Sequence, residues 1–213
     1  MNWKEMGLTV VKPEDIERKS FEIITEILGE RKLPEEYESL IKRVIHTTAD
    51  FEYADTLKFS EHAVNLGIEA IKSGAVIVTD TNMGKSGINK TRLEQLGGKV
   101  YCFMADEDVA AMAKANNTTR AVASIDKSIE LGDNVIYVIG NAPTALIRLY
   151  EYITNGIIKP KLIIGVPVGF VNVIQSKELI MTTEIPYIVS AGRKGGSNVA
   201  AAICNAIIYN VES

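Results

Sequence analysis

Residues 134–156, NVIYVIGNAPTALIRLYEYITNG, change their hydrophobic period midway, and that change decides the fold. NVIYVIG (134–140) is continuously apolar and rich in β-branched residues, which suits a strand buried on both faces rather than one alternating between core and water. PTALIRLYEYITNG takes up a helical spacing instead. Between the two, Asn141 and Thr144 are candidate caps, and Pro143 falls in the first helical turn, where its missing N–H does no harm. Strand, short turn and helix make the repeating unit of a parallel sheet.

The same unit recurs on both sides. AVIVTD (75–80), KVYCFM (99–104), KLIIGVPV (161–168) and PYIVSA (186–191) read as four more buried strands, separated by helical segments and followed by NVAAAICNAIIYN (198–210). The pattern predicts an α/β protein with three α/β/α layers around a mainly parallel five-stranded sheet, flavodoxin-like, preceded by N-terminal helices. Ligands in such sheets bind beyond the carboxyl ends of the strands, so the loops after each strand are where chemistry belongs.

About 70 residues of helical character precede the sheet. The first helix has Pro13, Glu14 and Asp15 at its start, and its apolar stripe runs through Ile16, Ile23, Ile24 and Ile27. Ser20 falls on that stripe, where it either bonds back to its own helix or faces a polar ligand. The second helix, from Glu35, points Tyr37, Leu40, Ile41, Val44 and Ile45 at the core. At 100° per residue His46 then lies nearly opposite that stripe, beside Ser39, Lys42 and Arg43.

Composition narrows the possible functions. The 213 residues are 46% hydrophobic and 23% charged, as in an ordinary globular protein of one domain. No apolar run approaches the roughly 20 residues that span a bilayer, and MNWKEMGLTV lacks the parts of a secretory signal, so a cytoplasmic protein without a membrane role is expected. A net charge of −4 argues against nucleic acid as a partner, since such binding requires a positive footprint. Cys102 and Cys204 lie in apolar runs without metal-ligand spacing, and no metal site is expected.

The loops carry the remaining signals. TDTNMGKSG (79–87) contains GKS, yet Thr79 stands where a P-loop has its first glycine. Thr81 and Lys85 remain available to an anion there. GNAPTAL (140–146) starts a helix whose N–H groups and dipole face the sheet mouth, which serves for capping or for holding an anion. SAGRKGGSNVAAA (190–202) has Gly192, Gly195 and Gly196 for close backbone approach, Arg193 and Lys194 for charge, and Ser197 or Asn198 as caps. Two adjacent cations before a helix N-terminus favour carboxylate or phosphate binding over a bare turn. Arg120, after two threonines at a helix start, is shaped for bidentate carboxylate binding. PVGFVN (167–172) offers Gly169 and Phe170 as lining for an apolar cavity.

Two functions fit these residues. One is an enzyme acting on a polycarboxylated ligand with a single histidine for proton transfer and no cofactor. The other is a non-catalytic nucleotide- or anion-binding module built around GKS. Of the two histidines, His46 ends a helix, where the partial negative charge suits a cation, whereas His62 follows Ser60 in the first turn of another.

RVIHTTAD (43–50), DTNMGKSGI (80–88), TTRAVAS (118–124), IGNAPTAL (139–146), PVGFVNVIQSKELI (167–180) and PYIVSAGRKGGSNVAAAICNAI (186–207), in this order and spacing, resemble the precorrin-8X methylmutases, also called cobalt-precorrin-8 methylmutases. The resemblance runs from IERKSFEII (16–24) to the C-terminus and treats residues 1–213 as one domain. It implies a homodimeric isomerase of cobalamin biosynthesis that moves a methyl group from C-11 to C-12 of a polycarboxylated tetrapyrrole, without a cofactor. It implies that His46 protonates the macrocycle and that Ser20, Thr81, Arg120 and Arg193 hold the substrate. Asn141, Thr144, Gly195, Gly196 and Ser197 complete the expected binding set.

Overall fold

The computed structural model describes residues 6, 7 and 11–211, so most of the MNWKEMGLTV start lies outside the described residues. Pro13–Asp15 form one 3-10 turn that leads into α1 (Ile16–Leu28). α2 (Glu35–Thr48) carries Glu35, Glu36 and Glu38 in its first turn, where the helix dipole favours acids, and stops where Ala49 turns left-handed. A short α3 (Tyr53–Thr56) runs into β1 (Leu57–Phe59), and α4 (Ala63–Lys72) follows.

The regular part then unfolds as the sequence suggests. β2 (Val76–Thr79) leads to α5 (Asn82–Gly87) and α6 (Lys90–Gln95), and β3 (Val100–Tyr101) to α7 (Glu107–Ala115) and α8 (Arg120–Ser128). β4 (Val135–Ile139) is followed by α9 (Pro143–Thr154), β5 (Leu162–Gly165) by α10 (Val173–Met181), and β6 (Tyr187–Ser190) by α11 (Ser197–Tyr209).

The sheet has six strands, in the order β1-β6-β5-β4-β2-β3. This corrects the expected five. β2 to β6 are mutually parallel, and the extra strand, β1, pairs antiparallel with β6, with Leu57 opposite Ser190 and Phe59 opposite Ile188. Three residues on an edge have too little hydrophobic pattern to stand out from the helices around them. Counted among themselves, the parallel strands lie in the order 2-1-3-4-5, which puts the switch of direction between β2 and β4.

Alternation along each strand builds two cores. Ile77, Ile136, Val138, Leu162, Ile164 and Ile188 face α2, α4 and α11, while Val78, Tyr137, Ile139, Ile163 and Val189 face α8, α9 and α10. α11 is buried almost throughout, and its alanines at 200–202 let α2 and α5 approach closely. The α1 stripe turns out differently from its reading in the sequence. Ile24 is buried, but Ile16, Ile23 and Ile27 face outward, Ile27 with 61% of its surface exposed. No helix among the described residues is long and apolar enough to cross a membrane.

Candidate active site

At the switch point the protein supplies its own anion. Asp80, just past β2, is buried, and its carboxylate accepts N–H groups from Gly140 at 2.9 Å, Asn141 at 2.8 Å and Ala142 at 2.6 Å. The backbone donors ahead of α9, expected to point into an open mouth, are thus spent on Asp80. Burial pushes the Asp80 carboxyl up from its ordinary range, and the three N–H donors pull against that. Asn141 keeps an exposed side chain. Thr144, the second residue of α9, meets Thr119 with hydroxyl oxygens 3.2 Å apart.

That contact brings the start of α8 to the same edge of the sheet. Thr119 caps α8 by accepting the Val122 N–H, and Arg120 follows it, exposed and without a carboxylate partner among the described residues.

Thr81 caps α5 by accepting the Gly84 N–H at 2.9 Å, and its hydroxyl lies 2.7 Å from that of Ser197. This geometry also counts against the P-loop reading. Gly84 and Lys85 sit inside α5, with Gly84 N–H on Thr81 Oγ1 and Lys85 N–H on the Thr81 carbonyl, so the amides of the GKS motif's first two residues are spent within the helix start and do not face a phosphate.

The loop from Ser190 to Ser197 is the most constrained part of the mouth. Gly196 N–H reaches the Val166 carbonyl at 2.9 Å, and a side chain on Gly195 would overlap that same carbonyl. Gly140 lies so near the start of α11 that a Cβ there would come within 2.7 Å of Ser197 Cα. Arg193 donates to the Phe170 carbonyl at 2.8 Å with its guanidinium 5.4 Å from the Phe170 ring centroid, and the ring itself is 82% exposed. Phe170 therefore lines no enclosed cavity. It projects from the edge of the sheet.

Lys194 leads back to the histidine. Its ammonium pairs with Asp50, the last residue of RVIHTTAD, at 2.6 Å and with Glu52, two residues on, at 2.9 Å. At the other end of α2, Ser39 meets Asn210, and Arg43 lies over Tyr209 at 5.0 Å. α2 thus runs antiparallel to α11, and its C-terminal turn, with His46, arrives at the carboxyl edge of the sheet. His46 is exposed and stacks on Phe21 of α1, with centroids 5.6 Å apart and planes 20° from parallel. Ser20, next to Phe21, donates to the Ile16 carbonyl at 2.9 Å, which is the back-bonded arrangement. His62 stands apart, exposed at the head of α4 with Glu36 and Glu61 nearby.

Sequence reasoning missed Asp80, Lys177 and Phe21. Lys177 of α10 is buried and donates to Ser190 Oγ, the Gly192 carbonyl and the Lys194 carbonyl. Lys177 falls within the PVGFVNVIQSKELI motif, but nothing in its local pattern assigns it a role. Of three larger clefts, the first is lined by Phe21 and Arg43 beside His46. It measures about 420 Å³ and sits between α1, α2 and α11, and the two others, of about 450 Å³, lie toward the opposite edge of the sheet, around Ile158 and Ile185 and around Leu66 and Pro186. The mouth within one chain is open rather than enclosed.

A doubly wound sheet whose carboxyl edge collects two arginines, several hydroxyls and one histidine defines an α/β protein with a polar site at that edge. Comparison with known proteins makes this specific. Residues 15–210 match the precorrin-8X methylmutase family, and the chain belongs to it. It is 47% identical to the cobalt-precorrin-8 methylmutase of Priestia megaterium, with 95% of this chain and 90% of that protein covered. The corresponding protein of Leptospira interrogans is 48% identical, with 91% and 92% covered. The precorrin-8X methylmutase structure from Thermus thermophilus superposes with a TM-score of 0.87 at 41% identity, covering 93% of this chain and 96% of that one. The chain is an intramolecular methyl-shifting isomerase of cobalamin biosynthesis.

Proposed function

We propose that His46 is the proton donor of the methyl shift from C-11 to C-12 of (cobalt-)precorrin-8, which yields hydrogenobyrinic or cobyrinic acid. The observation that carries this is the position of His46: exposed on the last turn of α2, at the same edge of the sheet as the GRKGGS loop and tied to it through Lys194, Asp50 and Glu52. A protonated imidazole there hydrogen-bonds a ring nitrogen or the conjugated system of the substrate and makes C-12 more electrophilic. The protein otherwise contributes orientation and charge, and no external cofactor takes part.

Arg120, Arg193, Asn141, Thr144, Ser20 and Thr81 with the Gly195, Gly196 and Ser197 backbone are proposed to hold the acetate and propionate carboxylates. Arg120 is the group best supported, since its guanidinium is exposed and without a carboxylate partner among the described residues. The 2-1-3-4-5 order of the parallel strands supports the flavodoxin-like description. The two sequence relatives above carry the name of the cobalt form, which favours a substrate that already contains cobalt. The outward isoleucines of α1 and the exposed His46 both favour a homodimer in which a second copy covers this side of the cleft.

His46→Ala tests the mechanism. With the substrate turned over by the parent enzyme and the visible spectrum as readout, turnover should fall by ~10² to 10⁴-fold, the usual contribution of a general acid, while product still binds. Full activity in that variant refutes the assignment.

A further inference from the structure

We propose that Lys177 is a positioning residue for substrate binding: its buried ammonium gathers the inner face of the 190–194 loop and so fixes how Arg193 is presented at the mouth. The inference rests on reading that loop as a carboxylate-binding element.

Lys177 is 1% exposed and is among the largest fully buried side chains of the chain. It reaches from α10 to the end of β6, where Nζ lies 3.1 Å from Ser190 Oγ, 2.9 Å from the Gly192 carbonyl and 2.9 Å from the Lys194 carbonyl. An ammonium has three donors, and all three are used on one five-residue stretch. Ser190 Oγ also donates to the Lys194 carbonyl at 2.7 Å, which closes the stretch on itself around the charge.

No carboxylate lies within ion-pairing distance of Lys177 among the described residues, and burial pushes its pKa down to about 8. A buried cation without a counter-ion is an expensive way to stabilise a turn, and a well-packed apolar side chain often does as well. The ammonium achieves something else. By drawing the Gly192 and Lys194 carbonyls inward it leaves the side chains of Arg193 and Lys194 outward, Arg193 onto the Phe170 carbonyl and Lys194 onto Asp50 and Glu52. It also leaves a positive charge beneath the loop that no neighbouring acid neutralises, at the edge where a polycarboxylate arrives. Lys177 reaches the substrate only through the loop.

The test is a double-mutant cycle on steady-state kinetics with the substrate form that the parent enzyme turns over, using Arg193→Ala, Lys177→Met and the pair together. Arg193→Ala should raise KM. Lys177→Met should raise KM roughly tenfold with kcat within about threefold, the scale of one charged hydrogen-bonding group lost from binding. The double variant should be no worse than Arg193→Ala alone, because both changes remove the same presentation of the guanidinium. If Lys177→Met does not fold, Lys177→Gln, which retains two donors without charge, is measured in its place and judged by the same criteria. A KM increase in Arg193→Ala but none at position 177 overturns the role of Lys177 and leaves the loop reading intact, and so does a double variant showing the full product of the two effects. An unchanged KM in Arg193→Ala overturns the loop reading itself and the inference with it.

Discussion

Thr81 Oγ1 and Ser197 Oγ lie 2.7 Å apart and join the end of the first parallel strand to the first residue of the last helix, across 116 residues of chain. The Thr81 oxygen also accepts the Gly84 N–H, so one hydroxyl both caps α5 and ties α5 to α11. Thr81→Val keeps the shape and loses both bonds, and is expected to lower stability by about 1–2 kcal/mol. Ser197→Ala leaves the cap in place and should lose about 1 kcal/mol or less. Urea unfolding of the two variants checks the ranking, which is wrong if Ser197→Ala proves the more damaging.

The glycines of the GRKGGS loop are not equivalent. A Cβ on Gly195 overlaps the Val166 carbonyl, a backbone atom held by the Gly196 N–H, so Gly195→Ala forces the loop off β5. Its loss should reach at least about 3 kcal/mol, in the range of severe overpacking. Gly192 has open space around it and only a φ of +78° to defend, so Gly192→Ala should lose about 1–2 kcal/mol. Thermal melts of the pair, measured side by side, decide the matter, and equal losses would contradict the packing argument.

The parallel sheet was legible because each of its strands is a continuous apolar run, and the loops after them because glycines, cations and caps cluster there. β1 was not legible, since LKF (57–59) acquires its meaning only from β6, some 130 residues later. Asp80 reads as the polar end of a strand until β4 arrives beside it with three N–H groups. The outward turn of Ile16, Ile23 and Ile27 escaped for the same reason: a stripe shows that a helix has an apolar side, but not what that side meets. Local periodicity is written in the sequence, whereas partners distant along the chain are not.

Asp80→Asn tests the built-in anion. The amide retains one acceptor oxygen but turns an NH2 toward at least one of the Gly140, Asn141 and Ala142 N–H groups, which leaves a buried donor facing a donor. The expected loss is about 1–3 kcal/mol. Hydrogen exchange should quicken at those three amides before it does in the β4 core. Unchanged protection there would mean that the carboxylate is not what holds the turn ahead of α9.

The Lys177 ammonium makes a pH prediction whose sign can be worked out. Folded, the group titrates near about 8 because burial disfavours its charge, and unfolded it returns to its ordinary 10.5. It faces Ser190 Oγ and the carbonyls of Gly192 and Lys194, while the charges of Arg193 and Lys194 are directed elsewhere, to the Phe170 carbonyl and to Asp50 and Glu52. Below about 8 both states hold the proton, and this group's contribution to stability does not change with pH. Between about 8 and 10.5 the unfolded chain holds a proton that the folded chain has released, so stability rises with pH in that window. Urea unfolding of the parent and of Lys177→Met at pH 7.5 and 9.5 isolates the effect, since tyrosines and cysteines titrate alike in both. The parent should gain stability relative to the variant on going to the higher pH. A parent that loses ground instead would place the folded pKa above the ordinary value and would require an acidic partner for Lys177.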